Sequence, residues 1–117
     1  MLAWFESVAN ERLYLSVLSL GEIRKGVDRL PASARRSRLT AWLEQELPAW
    51  FGARLLPIDG VVADRWGRLL AASARSLPAV DSLLAATALV HDLALVTRNV
   101  ADFQVPGVEV IDPWRHT

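Results

Sequence analysis

Short apolar segments alternate with helix-patterned segments along most of this chain, and that alternation limits the folds open to it. Four segments rich in apolar and β-branched residues are predicted strands, over residues 13–18, 55–58, 93–97 and 108–111. Apolar residues at helical spacing predict helices between them, over residues 20–30, 33–51, 61–75 and 80–91. Strands that alternate with helices build a parallel sheet covered on both faces. We therefore predict one α/β domain over residues 1–117.

The composition fits a compact domain and excludes several classes of protein. Hydrophobic residues make up 52% of the 117 residues, so the chain is not a disordered tail. Its apolar runs fall well short of the roughly 18 residues that a membrane span needs. The absence of Cys excludes disulfides and thiolate chemistry and fits a cytoplasmic location. Basic and acidic residues balance at 13 each, which argues against a broad basic face but leaves a local RNA contact open.

Three acidic residues lie at or near points where a predicted strand is followed by a helix. They are Glu22, Asp81 and Asp102. In an α/β fold, residues just past the carboxyl ends of parallel strands converge on one crevice. Carboxylates gathered there suit a hard cation such as Mg²⁺. We therefore expect the three carboxylates to lie within reach of one hydrated ion.

Each of these acidic residues also has a purely structural explanation. Ser19 and Glu22 have the spacing of a capping box. Asp81 lies at a predicted helix start, where the helix dipole favours a negative charge. Asp102 comes three residues after Asn99, which is another cap-like spacing. The occurrence of all three in this order favours the metal site over three separate caps.

The segments that carry these residues resemble the PIN-domain ribonucleases, specifically the VapC-type toxins of bacterial toxin–antitoxin pairs. The strongest match is TRNVADF at residues 97–103, followed by SVLSLGEI at 16–23 and by PAVD at 78–81, which leads into AATA at 85–88. The resemblance covers the chain from about Met1 to Trp114. It implies a PIN-like three-layer sandwich, in which helices flank a parallel sheet.

The same resemblance implies a metal-dependent endoribonuclease that uses Mg²⁺ or Mn²⁺. Glu22, Asp81 and Asp102 match three of the family's acidic positions, and Asn99 and Thr97 match accessory polar positions near the metal. The implied partners are an RNA substrate and a cognate antitoxin protein, in a homodimer or in a hetero-oligomer with the antitoxin, without a membrane.

The family also opens with a short apolar strand that ends in Asp, and this sequence contains no such segment. We therefore expect a PIN fold without its first strand, a metal held more weakly by three carboxylates, and an exposed sheet edge that favours self-association. Two alternatives stay open. One is an inactive PIN remnant that binds antitoxin or dimerises, and the other is a PIN-fold nuclease that acts on DNA.

Two further groups of residues bear on binding surfaces. Trp42 and Trp50 are eight apart on one predicted helix, which places them on roughly the same face, where they could form part of a partner groove. Arg24, Lys25 and Arg98 flank the acidic positions and could steer phosphates.

Overall fold

A computed structural model of the protein describes residues 10–97, 103 and 105–113. The chain divides into two compact units. The central unit is Leu13–Pro57, and the terminal unit combines Met1–Arg12 with Ile58–Thr117.

The central unit is built on a pair of short parallel strands. Strand β1 (Leu15–Ser16) pairs with β2 (Leu55–Leu56), with Leu15 opposite Leu55. The helical elements between them are α1 (Val17–Asp28), α2 (Ala34–Ala41), a π-helical segment (Trp42–Glu46), α3 (Leu47–Phe51) and a 3₁₀ turn (Gly52–Arg54). The buried core is formed by Val27, Leu43 and Leu47.

Helix α1 begins earlier than its apolar spacing predicts. Ser16 is the N-cap, and its Oγ accepts a hydrogen bond from the backbone N–H of Leu18 at 3.1 Å. The cap stops β1 after two residues, so the strand predicted over residues 13–18 is shorter and the helix starts at Val17 rather than at residue 20. A side-chain oxygen at the cap satisfies one of the unpaired amides of the first turn, which is why the chain turns here.

The helix predicted over residues 33–51 is divided by the π-helical segment. Ser33 caps its start, since its Oγ accepts from the backbone N–H of Arg36 at 3.1 Å. Further along, the N–H of Leu47 donates to the carbonyl of Trp42, five residues back. Pro48 has no N–H, and its ring crowds the carbonyl four residues before it, so a widened turn at this point relieves the clash.

The two tryptophans of this stretch have different surroundings. Trp42 packs against the core cluster of Val27, Leu43 and Leu47. Trp50 is 47% exposed and has Arg54 over its ring at 5.1 Å. The shared face and the partner groove predicted for the two tryptophans stay a prediction.

The terminal unit contains a 3₁₀ turn and two packed helices beside a second parallel strand pair. After the turn (Asn10–Arg12) come α4 (Gly60–Ala72), α5 (Ala79–His91), β3 (Leu95–Val96) and β4 (Val110–Ile111). Leu95 lies opposite Val110 in the strand pair. Asp59 caps α4, because its Oδ1 accepts from the N–H of Val62 at 3.0 Å.

The core of this unit depends on small residues in α5. Ala85 and Ala86 are fully buried, and Ala85 clusters with Leu69 and Val105. Alanine presents little bulk, so α4 and α5 can approach closely over this stretch. The helix that the sequence predicts over residues 80–91 is confirmed.

Both strand pairs in the described part of the chain are parallel, with helices between the strands in sequence. This confirms the predicted parallel α/β class. The described strands form two separate pairs, and the prediction of one domain over residues 1–117 stays a prediction. Within the same residues, no helix is long and apolar enough to cross a membrane.

Candidate active site

Glu22 lies in the second turn of α1, where its carboxylate is exposed. Its side chain is 53% exposed, and its Oε2 lies 3.2 Å from the ammonium nitrogen of Lys25, one turn further along. The capping-box explanation is wrong, because the helix is capped by Ser16 and Ser19 is already a helical residue. The structural role predicted for Glu22 is therefore absent, and its carboxylate faces an ammonium group and solvent.

Asp81 lies in the first turn of α5, as predicted, and is half-buried. The N-cap is Pro78, which provides no side-chain hydrogen bond to the helix. The partial positive charge of a helix N-terminus stabilises a carboxylate at this position. The position agrees with the predicted helix start, and the metal-site explanation for this residue stays a prediction.

A hydrogen bond between the two helices of the terminal unit holds the start of α5, and sequence reasoning missed it. Ser82, next to Asp81, is 2% exposed; its Oγ accepts from the indole Nε1 of Trp66 at 2.9 Å and donates to the carbonyl of Ala79 at 2.9 Å. A largely buried indole N–H needs an acceptor. The presence of a tryptophan is therefore the one sequence signal that could have indicated a hydrogen-bond partner here. The backbone that carries Asp81 is therefore tied to α4.

Thr97 follows β3 directly and is half-buried. Its backbone N–H donates to the carbonyl of Ile111 at 2.9 Å, which extends the strand pairing by one bond. This is the strand-end position that the sequence predicts. Asn99 and Asp102 lie outside the described residues, and so does Arg98.

Within the residues that the structure describes, no group of three Asp, Glu, His or Cys side chains lies close enough together to hold a metal ion. Because Asp102 is not among those residues, the convergence of the three carboxylates stays a prediction. The donor chemistry of the predicted set fits a hard divalent cation, since every predicted ligand or accessory group offers an oxygen atom.

The basic residues near Glu22 already have carboxylate partners. Arg24 lies 3.3 Å from the carboxylate of Asp28 and 3.1 Å from that of Glu44, and Lys25 pairs with Glu22. Arg24 therefore bridges two carboxylates on α1 and the π-helical segment. Its predicted role in steering phosphates would require it to leave one of them.

Comparison with known proteins identifies relatives over almost the whole chain. The model of the PIN domain matches residues 1–105. The VapC ribonuclease Y4jK of Sinorhizobium fredii is 32% identical, over 97% of this chain and 84% of that protein. The crystal structure of FitAcB from Neisseria gonorrhoeae superposes with a TM-score of 0.87 at 32% identity, over 97% of this chain and 84% of that one.

A third relative is VapBC-5 from Mycobacterium tuberculosis, a member of the VapBC family of toxin–antitoxin systems. It superposes with a TM-score of 0.62 at 30% identity, over 84% of this chain and 79% of that one. The family model covers well over half of the chain, and the relatives match it over most of their own length. These relatives agree with the fold that the acidic segments indicate. The chain belongs to the PIN-domain family.

Proposed function

We propose that this chain is the ribonuclease toxin of a type II toxin–antitoxin pair. The observation that carries the proposal is the placement of its acidic residues within the family match. Glu22 lies on the helix that follows β1, and Asp81 lies in the first turn of α5. The names of two relatives support it: one is a VapC ribonuclease, and another belongs to a toxin–antitoxin family.

We further infer that the two compact units belong to a single PIN-like domain. The family match runs over residues 1–105 and so includes segments of both units. An RNA substrate and a cognate antitoxin would place the protein in the cytoplasm, as the sequence predicts.

The cofactor in this proposal is Mg²⁺ or Mn²⁺, held by Glu22, Asp81 and Asp102. A bound divalent ion supplies a water that is deprotonated near neutral pH and offsets charge that develops on the phosphate. Asn99 and Thr97 would orient that water or the carboxylates by hydrogen bonds. Each of these five side chains offers an oxygen ligand or acceptor.

The protein's own groups prepare this site in two ways. The partial positive charge at the N-terminus of α5 attracts the carboxylate of Asp81, and the bond between Ser82 and Trp66 fixes the backbone beside it. Lys25 lies 3.2 Å from the carboxylate of Glu22, and its ammonium group could contact a substrate phosphate instead if that carboxylate held a cation. The antitoxin in this proposal would block the same site.

The decisive experiment compares Asp81→Asn with Asp92→Asn. The two residues lie at opposite ends of α5, and Asp92 is the exposed C-cap with a left-handed backbone that Asn adopts readily. Cleavage of a single-stranded RNA in Mn²⁺ should disappear in Asp81→Asn and persist in Asp92→Asn. Both variants should keep the parent's far-UV circular dichroism.

Two results would contradict the proposal. One is an Asp81→Asn protein that cuts RNA at the parent's rate with unchanged metal dependence. The other is a parent protein that binds antitoxin but cuts no RNA in either ion, which would favour the inactive PIN remnant.

A further inference from the structure

The chain has zero net charge, but its charged residues are unequally distributed between the two units. The central unit, Leu13–Pro57, has seven basic residues and four acidic residues, a net charge of +3. The terminal unit has six basic residues and nine acidic residues, a net charge of −3. The excess positive charge therefore belongs to the unit that contains Glu22.

Within the central unit, the excess lies in one segment. Residues 29–43, which we name the arginine segment, contain four arginines and no acidic residue. These are Arg29, Arg35, Arg36 and Arg38. Among the described side chains of the central unit, Arg24 pairs with Asp28 and Glu44, and Lys25 pairs with Glu22. None of these ion pairs includes an arginine of the arginine segment.

Helix α2 presents three of these arginines on two sides. Arg35 and Arg38 are three residues apart, which places them on one face, and both are exposed. Arg36 contributes to an open hollow of about 360 Å³, together with Ser33, Ser37 and Thr40. Glu44 also borders the hollow, but Arg24 binds its carboxylate at 3.1 Å. The local charge at α2 therefore stays positive.

Along α1, one helix face joins the proposed metal ligand Glu22 to Arg29, the first residue of the arginine segment. Residues Glu22, Lys25 and Arg29 are separated by three and four positions, so they follow one face of α1 into the arginine segment. At 1.5 Å per residue the distance from Glu22 to Arg29 along the axis is about 10 Å. A methyl group added at Gly26, beside Lys25, would meet nothing within 4 Å, so the surface is open to a ligand there.

We propose that Arg35 and Arg38 of α2 bind phosphates of a single-stranded RNA whose chain extends from Glu22 past Lys25 and Arg29. The guanidinium group is the side chain best suited to phosphate, because it can donate two parallel hydrogen bonds. This inference rests on the proposed function, since it assigns the RNA strand's path on the same protein. A local group of arginines would allow a chain of zero net charge to bind the polyanionic RNA.

The test measures RNA binding without cleavage. The probe is a fluorescein-labelled oligouridylate of about 12 nucleotides, and its anisotropy is followed in EDTA over a range of salt concentrations. The variant is Arg35→Ala with Arg38→Ala. The matched control is Arg65→Ala with Arg68→Ala, which removes two arginines of the same spacing from α4 of the terminal unit.

We expect the α2 variant to lose about tenfold in affinity or more. Its plot of log K against log salt should become shallower by about 1.4, because each phosphate contact on a single strand contributes about 0.7 to the slope. The α4 control should keep the parent's affinity and slope. Arg35→Lys with Arg38→Lys should recover part of the affinity, since charge is retained without the bidentate geometry.

Three results would overturn the inference: equal losses in the α2 and α4 variants, an unchanged salt slope in the α2 variant, or tighter binding of a DNA duplex of the same length than of the RNA. Because binding is measured without a divalent ion, these results are independent of the Asp81→Asn cleavage test. A failure of the proposed RNA binding by the arginine segment can therefore be distinguished from a failure of the ribonuclease assignment.

Discussion

At the scale of single residues, the clearest structural determinant near the proposed site is the hydrogen bond between Trp66 and Ser82. Replacing Ser82 by Ala would leave the indole N–H without its acceptor and the carbonyl of Ala79 without its side-chain donor. We expect the free energy of unfolding to fall by about 1–3 kcal/mol, the usual penalty for a polar group left unpaired in the interior.

The measurement for this prediction is urea denaturation followed by tryptophan fluorescence. Ser76→Ala, at an exposed position between α4 and α5, serves as the control and should change stability by no more than about 0.5 kcal/mol. If Ser82→Ala were as stable as Ser76→Ala, the bond would have no role in fixing the start of α5.

Two glycines of the terminal unit should respond to alanine in opposite ways. Gly67 lies inside α4, and an added methyl group would meet nothing within 4 Å, so Gly67→Ala should raise stability by about 0.5–1 kcal/mol. Gly107 has a φ of +88°, and its added methyl group would lie 3.2 Å from the Cδ2 of Leu89. Gly107→Ala should therefore lower stability by about 1 kcal/mol or more. Thermal denaturation of the two variants tests both signs, and a shift in the same direction would contradict the prediction.

At the scale of elements, the beginning of α1 depends on which serine caps it. Ser16 accepts from the N–H of Leu18, so Ser16→Ala should cost about 1 kcal/mol. Ser19 is already helical, so Ser19→Ala should be neutral or slightly stabilising. Chemical denaturation of the pair distinguishes the two caps. A larger loss for Ser19→Ala would restore the capping box with Glu22 and remove the argument that its carboxylate is available to a metal.

At the scale of the whole molecule, a proposed metal site has a thermodynamic consequence apart from catalysis. An ion that binds only the folded state raises stability by about 2.7 kcal/mol at 100 times its dissociation constant. We therefore expect Mn²⁺ to raise the Tm of the parent in a saturable manner, and to raise that of Asp81→Asn much less. Differential scanning fluorimetry of the parent, Asp81→Asn and Asp92→Asn tests this. An equal rise in all three proteins would place the ion elsewhere.

More of the fold than of the candidate site could be predicted from the sequence. The types and the order of the helices and strands followed from periodicity, and Asp81 lies at a helix start as expected. The boundary at Ser16 was missed, since apolar residues on both sides of it are compatible with a strand or a helix. The arrangement of Glu22, Asp81 and Asp102 around one ion stays a prediction.

The sequence by itself determined which segments are helices and strands, their parallel α/β class and the acidic residues that follow them, because periodicity and capping act between residues a few positions apart. Only the tertiary structure decided that Leu15 pairs with Leu55, that Trp42 packs inward while Trp50 is exposed, and that the indole of Trp66 binds Ser82. Those features depend on contacts between segments that are distant in sequence, and local spacing carries no information about such contacts.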